Sequence, residues 1–278
     1  MDIIPNDHVY SYSQLSSVDE CPYSFYLERI EKDENGRPLQ QQSNFFSEHG
    51  TAVHKVLEKW ADGEVSLEDL PEEYKNLYPR YVTTSPPAYM SAYRSKAYDQ
   101  GMEYFEHFDG FAGYTVVSAE QRFLMELKLP SGKSRQFTGC VDLILRSDET
   151  GELVIVDHKS KSYKEFKKVR DEMYRQQYLY AAFVKERYGE YPSVLMFNLF
   201  KEPGLLDTKP FSVEEYNGVL AWAEERIDEI EDRDLFTWLE AKPEPDFFCN
   251  EICSVRKYCP NGVLKPEPKT KRAKVKKE

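Results

Sequence analysis

The chain of 278 residues is long enough for one large domain, or for one domain with an appended lobe. Hydrophobic residues make up 40% of it and charged residues 31%, a balance that is typical of a globular protein and excludes a disordered chain. The net charge of −12 argues against a passive DNA-coating protein, because such proteins are usually basic. No run reaches the ~18 apolar residues that cross a bilayer, and residues 1–15 lack a secretory signal, so we expect a cytoplasmic protein with no membrane partner.

The hydrophobic pattern is helical in the first part of the chain. Residues 13–30 predict a first helix, with Cys21 near its middle or at a break, and residues 45–61 predict a second helix with one apolar face. Residues 62–87 contain several prolines and predict an irregular stretch with at most a short helix. A third helix is expected over residues 89–108, so the N-terminal part is expected to be helical.

The pattern then changes to strands that alternate with helices. Two runs, residues 115–129 and 135–146, are joined by a turn and predict a hairpin, and the apolar segment 153–157 predicts a third strand. A long amphipathic helix, a further strand and a second long helix follow over residues 170–188, 193–200 and 213–233. We therefore predict an α/β fold with a mixed central β-sheet flanked by helices, a helical N-terminal part and a C-terminal cysteine loop.

The segments GCVDLIL (139–145) and VIVDHKSKS (154–162) carry the most informative charged residues. Asp142 and Asp157 belong to strands that are expected to pair, and Lys159 points to the same side as Asp157 because side chains in extended chain repeat with a period of two. Two such carboxylates can share a hard cation, and the lysine can hold a water or a phosphate oxygen. The alternative interpretation is a surface turn with solvated charges.

Four motifs follow one another along the chain: Gly50-x-x-x-His54, Gly139-x-x-Asp142, Asp157-x-Lys159 and Gln176-x-x-x-Tyr180. In this order they resemble the PD-(D/E)XK nuclease superfamily, over roughly residues 11–260. Within it the chain resembles the RecB-like branch, which includes the AddB nuclease domain and the CRISPR-associated and phage RecB-like exonucleases. The resemblance implies one nuclease domain over residues 1–262, with a helical part, a catalytic core and a cysteine loop at about residues 11–110, 111–235 and 242–262.

The resemblance also implies a role for each matching position. Mg²⁺ or Mn²⁺ would be held by His54, Asp142, Asp157 and the carbonyl of His158. Lys159 would position or activate the attacking water and stabilise developing charge, while Gln176 and Tyr180, one helical turn apart, would line the site. Glu120, in VVSAEQRF, matches a carboxylate on the first core strand of the family. Taken alone, His54 would be interpreted as a core histidine, and the Gln176–Tyr180 pair as ordinary helix residues.

The implied activity is that of a metal-dependent DNA exonuclease, which hydrolyses phosphodiester bonds in single strands or at duplex ends during recombination, repair or phage DNA processing. DNA is therefore the expected partner, together with other recombination proteins. The alternative is a non-cleaving subunit that binds DNA ends or supports the structure of a recombination complex. No nucleotide triphosphate is expected, because the SGKS segment at 131–134 has leucine at position 127, where a phosphate-binding loop requires glycine.

The chain has five cysteines, and an odd number in a cytoplasmic protein argues against a disulfide framework. Three of them lie close enough in sequence to ligate one iron–sulfur or zinc centre: Cys249, Cys253 and Cys259. The fourth ligand is either Cys21 or Cys140. Cys140 lies two residues before Asp142 on a predicted strand, so we expect it to be a small buried core residue.

Cys21 is followed by a proline, and together with the three late cysteines it resembles the cluster-bearing RecB-like nucleases. The resemblance implies that Cys21, Cys249, Cys253 and Cys259 hold a [4Fe–4S] cluster, with zinc as the alternative. The late spacing departs from the family, since C-x3-C-x5-C stands in place of C-x2-C-x5-C.

Residues 263–278 are expected to form a disordered basic tail, because they are rich in lysine and contain no aromatic residue. Two interpretations remain open at this point. The tail either contacts DNA phosphates or keeps the protein soluble.

Overall fold

The computed structural model describes residues 4–5, 7–240 and 246–260. Its centre is a five-stranded sheet with the strands in sequence order: β1 (Tyr114–Lys128), β2 (Ser134–Ser147), β3 (Leu153–His158), β4 (Val194–Asn198) and β5 (Leu206–Pro210). The first three strands are antiparallel, β4 runs parallel to β3, and β5 is antiparallel to β4. The predicted mixed sheet of an α/β fold is therefore confirmed.

Helices precede the sheet and cover it. Within the described ranges they are α1 (Tyr12–Glu20), α2 (Pro22–Phe25), α3 (Phe45–Ala61), α4 (Leu70–Tyr81), α5 (Tyr93–His107), α6 (Tyr163–Phe166), α7 (Arg170–Tyr188), α8 (Val213–Asp232) and α9 (Leu235–Glu240). Two π-helical turns lie at Tyr26–Ile30 and Phe248–Ile252. The connection between the parallel strands β3 and β4 contains α7, because parallel neighbours cannot be joined by a tight turn. Among the described helices, none is long and apolar enough to span a bilayer.

Alternate side chains of the sheet face two different layers of helix. Ile144 belongs to the apolar cluster that includes α7 and α8, whereas Leu143 belongs to a cluster that includes the end of α3. Asp142 lies two residues before Ile144, and Asp157 lies two residues after Ile155, which shares the Ile144 cluster. Because strand side chains alternate, both aspartates project toward the α7 side of the sheet.

The first predicted helix is divided at Cys21. Cys21 has an extended backbone, with φ −158° and ψ 93°, and α2 begins at the next residue, Pro22. The proline ring clashes with a helical conformation of the residue before it, which explains the break. Cys21 therefore lies between two helices and not within one.

Two elements differ from the sequence prediction. Residues 62–87 are less irregular than predicted, since they include the twelve-residue helix α4. Its buried residues follow helical spacing: Leu70, Tyr74, Leu77 and Tyr78. Pro71 lies in the first turn, where a missing N–H costs no hydrogen bond, and Pro79 lies inside the helix near its end, so the prolines concealed this helix. The short strand β5 was also not predicted, because Asp207 is its one buried residue and no apolar alternation marks it.

Candidate active site

Strands β2 and β3 bring two buried carboxylates together. Leu143 pairs with Val156 in the antiparallel register, so Asp142 and Asp157 lie opposite each other one position further along. The Asp142 Oδ2 atom accepts a hydrogen bond from the backbone N–H of His158 at 2.9 Å. The Asp157 side chain is 4% exposed and the Asp142 side chain 12% exposed. Two ionised carboxylates that are buried this deeply destabilise the folded state unless positive charge lies beside them.

Lys159 supplies one positive charge and links the sheet to α7. Its Nζ atom lies 2.8 Å from Asp157 Oδ2 and donates a hydrogen bond to Gln176 Oε1 at 3.2 Å. The Gln176 Nε2 atom in turn donates to the Tyr180 hydroxyl at 3.1 Å. The structure thus joins the last two sequence motifs, Asp157-x-Lys159 and Gln176-x-x-x-Tyr180, in one chain of contacts.

His54 on α3 approaches the carboxylates from the other side. Its Nδ1 atom lies 3.6 Å from Asp142 Oδ2 and 3.7 Å from Glu120 Oε1, and its Nε2 atom lies 2.9 Å from the carbonyl oxygen of His158. When Nε2 carries the proton and donates to that carbonyl, the Nδ1 lone pair faces two carboxylate oxygens. Such an arrangement requires a proton or a metal cation between the three atoms, so the donor set fits a divalent cation.

The ligand atoms of His54, Glu120 and Asp142 all lie within 4.8 Å of one another, and in the part of the chain that the structure describes they are the one such set of three. Asp157 is outside this set, although the sequence pattern places it among the ligands. The Asp157 carboxylate contacts Lys159, and Asp157 stays a predicted metal ligand. Glu120, whose role the sequence left least defined, supplies the third ligand atom of this set.

The charges of these groups act strongly on one another. Burial, followed by the charge of Asp157, raises the pKa of Asp142 to about 7. Burial by itself would lower the pKa of His54, but the Asp142 carboxylate and the contact with Glu120 outweigh it and raise that pKa. Burial would also lower the pKa of Lys159, and the charges of Asp157 and Asp142 raise it instead. Lys159 therefore remains a protonated hydrogen-bond donor at neutral pH.

The backbone of His158 is held by β4. The Asn198 Nδ2 atom donates to His158 Nδ1 at 2.9 Å and to the Tyr104 hydroxyl at 2.7 Å, and the Asn198 carbonyl accepts the N–H of Lys159 at 2.9 Å. Burial lowers the pKa of the His158 imidazole well below its usual range, so this ring is neutral and part of the core. His158 therefore presents its carbonyl group to the site, and its side chain points elsewhere.

Glu120 reaches the site through an unusual backbone conformation. Its φ of 44° falls in the left-handed region, which costs on the order of 1 kcal/mol or more for a residue with a side chain. The Cys140 thiol donates a hydrogen bond of 3.4 Å to Glu120 Oε2, while Oε1 faces His54. Cys140 is half-buried and lines the cleft, so the expectation of a buried core cysteine is wrong; its strand exposes this position to the site.

Gly139 is required by the close approach of an aromatic ring. A Cβ atom at this position would lie 2.6 Å from Tyr180 Cε1 and 2.8 Å from Phe123 Cζ. At Gly50, by contrast, an added Cβ atom meets nothing within 4 Å. The glycine of the Gly139-x-x-Asp142 motif therefore makes room for the Tyr180 ring beside Gln176, whereas packing gives no reason for the glycine before His54.

Alanine at these two glycines is expected to have opposite effects on stability. Gly139→Ala forces the Tyr180 and Phe123 rings to move and should lower the free energy of unfolding by roughly 1–3 kcal/mol. Gly50→Ala lies within α3 with free space around it and should raise that free energy by up to ~1 kcal/mol. Chemical denaturation of both variants checks this prediction. Equal midpoints for the two variants would contradict the assigned packing of Tyr180.

An open cleft of about 830 Å³ adjoins these residues. Its walls include the catalytic candidates Asp142, Lys159, Gln176 and Tyr180. They also include the α1 segment and part of the π-helical turn Phe248–Ile252. The cleft is therefore large enough for more than one small group and connects the candidate active site with the cysteine loop.

Comparison with protein families matches residues 9–260 to the model described as the PD-(D/E)XK nuclease superfamily. The chain belongs to the PD-(D/E)XK nuclease superfamily. A solved structure described as "Putative exonuclease" from Eubacterium rectale is 16% identical to it, and the superposition covers 94% of this chain and 91% of that chain with a TM-score of 0.48. Comparison with curated proteins finds no match.

This PD-(D/E)XK nuclease has a second cavity, formed by cysteines. Four of the five cysteines line one small pocket together with Leu27 and Val255: Cys21, Cys249, Cys253 and Cys259. Cys140 is absent from this pocket and lines the larger cleft. Burial raises the pKa of the Cys21 thiol, and raises that of Cys253 to about 11. In the described residues all five cysteines are free, and no three of their sulfur atoms lie within 4.8 Å of one another.

The cysteine loop of this nuclease is tied to the start of α3. Asn44, which caps α3, donates a hydrogen bond to the Ile252 carbonyl at 3.1 Å, and the N–H of Gln42 donates to the Ser254 carbonyl at 2.7 Å. The loop therefore joins α1 and α2 on one side and α3, which carries His54, on the other. The segment at 241–245 and the basic tail at 263–278 lie outside the described residues.

The sequence pattern does not single out three residues that line the cleft of this nuclease: Ser16, Arg122 and Phe248. Arg122 follows Glu120 by two residues, so strand alternation could have placed it beside that carboxylate. Phe248 directly precedes Cys249, but nothing in the sequence indicates that its ring lines a cleft. Its position depends on the folding of the loop against α1 and α2.

Proposed function

We propose that this protein is a metal-dependent deoxyribonuclease, which acts as an exonuclease on single strands or at duplex ends. The observation that carries the proposal is the convergence of Lys159 and Asp157 with the His54–Glu120–Asp142 set beside one open cleft. Fold membership alone would not specify an active enzyme, because function depends on the residues of the site. Here Lys159 contacts Asp157, and the ligand atoms of His54, Glu120 and Asp142 lie within 4.8 Å of one another, so the site contains the charged groups that phosphodiester hydrolysis uses.

Mg²⁺ or Mn²⁺ is the proposed cofactor of this site. His54, Asp142, Asp157 and the His158 carbonyl are the ligands that the resemblance implies for the cation, and Glu120 would be a further ligand because its Oε1 atom lies with Asp142 Oδ2 beside His54 Nδ1. Carboxylate and carbonyl oxygens are ligands that suit these hard cations. When bound, the cation supplies a Lewis acid that polarises the phosphate and lowers the pKa of bound water.

The residues of the chain position the attacking water and the phosphate. Asp157 and Asp142 raise the pKa of Lys159, so its ammonium group is a cationic donor that would position or activate the attacking water and stabilise charge on the phosphate. Asp157 and Gln176 hold its ammonium group from two sides. Tyr180 accepts a hydrogen bond from Gln176 and so holds the Gln176 side chain in place beside Lys159.

A [4Fe–4S] cluster is proposed for the four-cysteine pocket. Thiolates are the usual ligands of such clusters and also of structural zinc. Zinc is the alternative for this pocket, and iron and zinc analysis of the purified protein distinguishes the two. The role of the cluster is structural, because it would join α1 and α2 to the C-terminal loop.

The alternative function is a non-cleaving subunit that binds DNA ends or supports a recombination complex. The presence of Asp142 on the strand beside the Asp157–Lys159 pair argues against it, since a binding module has no need for all three. Recombination, repair and phage DNA processing, in the cytoplasm, are the processes proposed for the nuclease. Other recombination proteins are its proposed partners besides DNA.

Digestion of end-labelled DNA tests the proposed function. Linear single strands and blunt duplexes are incubated with the protein and Mg²⁺ or Mn²⁺, with chelator as the metal-free control. We expect label to be released from linear substrates and circular single strands to remain intact. Cleavage of the circles would contradict the exonuclease assignment, and bound but uncut linear DNA would favour the non-cleaving alternative.

Removal of the basic tail tests whether it contacts DNA. Deleting residues 265–278 takes away seven basic and two acidic residues. If the tail binds phosphates, the truncated protein should bind single-stranded DNA more weakly. The slope of the logarithm of the binding constant against the logarithm of the salt concentration should become shallower by about 0.7 for each lost contact. Titrations between low and physiological salt measure the slope. An unchanged slope would restore the interpretation of a solubilising tail.

A further inference from the structure

The lining of the cleft includes groups that suit a DNA backbone and groups that suit a base. Besides Lys159, cations and hydroxyl groups line it together with the carboxylate of Glu172: Arg122, Lys161, Ser13 and Ser16. Arginine, lysine and serine side chains make most of the phosphate contacts in protein–DNA complexes. Arg122 is exposed, and within the described ranges no carboxylate lies within ion-pairing distance of it.

The side of the cleft beside the cysteine loop has a different lining. Ser24, Phe248 and Cys253 line both the cleft and the cysteine pocket, so the two cavities adjoin there. Glu28 also lines the cleft and accepts a hydrogen bond from Ser254 of the loop, whereas Glu20 lines it within the charge field of Lys161. Carboxylates repel phosphates, but they accept hydrogen bonds from the exocyclic amino groups of bases. This side therefore suits bases and not the backbone of a DNA strand.

Phe248 offers an aromatic face on that side. Phe248 is 39% exposed and lines the cleft, whereas its neighbour Phe247 is 44% exposed, is not among the lining residues and packs on Phe46 with ring centroids 5.8 Å apart. The backbone of Phe248 is fixed, since its carbonyl accepts the N–H of Cys253 at 2.8 Å and the N–H of Cys249 is bound by Asp246 at 2.9 Å. An exposed ring on a fixed backbone inside a cleft is suited to stacking on a planar ligand.

We propose that Phe248 is a stacking platform for an unpaired base of a DNA single strand that lies in the cleft. The inference rests on the proposed nuclease function and adds to it the substrate class, a strand whose bases are unpaired. Stacking requires a free base face, and bases within a duplex are already stacked on their neighbours. The position of Phe248 beside Cys249 also means that the cysteine loop places the ring.

The experiment measures binding in a protein that cannot cut. The variants are built on Lys159→Ala, and the probes are a labelled dT oligonucleotide and the same strand with a single 2-aminopurine, whose fluorescence falls when the base stacks. Phe248→Ala should weaken binding by about 5- to 150-fold and abolish the quenching at one nucleotide position. Phe248→Trp should retain both, and Phe247→Ala serves as the control with unchanged binding.

Because Phe248 also lines the cysteine pocket, Phe248→Leu separates stacking from packing. Leucine fills space without an aromatic face, so this variant should keep its iron content and thermal midpoint but lose the quenching. Wild-type affinity and quenching in Phe248→Leu would overturn the inference while leaving the nuclease function intact. Failure of the Lys159→Ala parent to bind any DNA would instead overturn the proposed function, and the inference with it.

Discussion

Replacing Lys159 with alanine is expected to lower the rate of single-strand cleavage by at least ~10²-fold, with the fold and DNA binding retained. Among the described residues its ammonium group is the cation in contact with Asp157, and Lys159 lines the cleft beside the proposed metal ligands. Its charge is required most when negative charge develops on the phosphate, so its loss raises the barrier more than it weakens binding. Single-turnover cleavage of end-labelled DNA measures the effect.

Lys164 provides the matched control for this prediction. It lies on the same segment, is exposed and is not among the residues that line the cleft, so Lys164→Ala should cut at the wild-type rate. Asp157→Asn preserves the shape of the side chain but removes the charge that holds Lys159, and we expect a loss of similar size. Cleavage by Lys159→Ala at the wild-type rate would remove the basis for the assigned active site.

Replacing Cys21 with alanine is expected to remove the cluster and destabilise the whole protein. Anaerobically purified wild-type protein should be brown, with broad absorbance near ~400 nm and about four iron atoms per chain. Cys21 and Cys249 are more than two hundred residues apart, so a cluster that joins them closes a very long loop. By analogy with long-loop crosslinks, its loss should lower the free energy of unfolding by about 4–5 kcal/mol.

Cys140→Ala is the matched control, because Cys140 lies in the cleft and not in the cysteine pocket. This variant should keep its colour and its iron, and lose only the contact with Glu120. Iron analysis and thermal unfolding of the two variants side by side check the assignment. If Cys140→Ala loses its metal while Cys21→Ala retains it, the assignment of Cys21 as the fourth ligand is wrong. A colourless wild-type protein with one zinc per chain would exclude the iron–sulfur cluster.

Local sequence determined the elements that carry the motifs. The helix predicted over residues 45–61 is α3 with the same bounds, because Asn44 and Ser47 form a capping box and its apolar residues keep helical spacing. The contact between Asp157 and Lys159 also follows from the period of two in extended chain. These features depend on neighbours in the sequence, so they can be read without knowing what packs against them.

The distances within the three-residue donor set were decided by tertiary structure. Glu120 lies in it with a backbone φ of 44° within β1, and His54 reaches the carboxylates from α3, a segment remote from them in the sequence. The position of Phe248 in the cleft likewise depends on the loop folding against α1 and α2. Periodicity specifies the face on which a side chain lies, but the distance between side chains from remote segments depends on the packing of whole helices and strands.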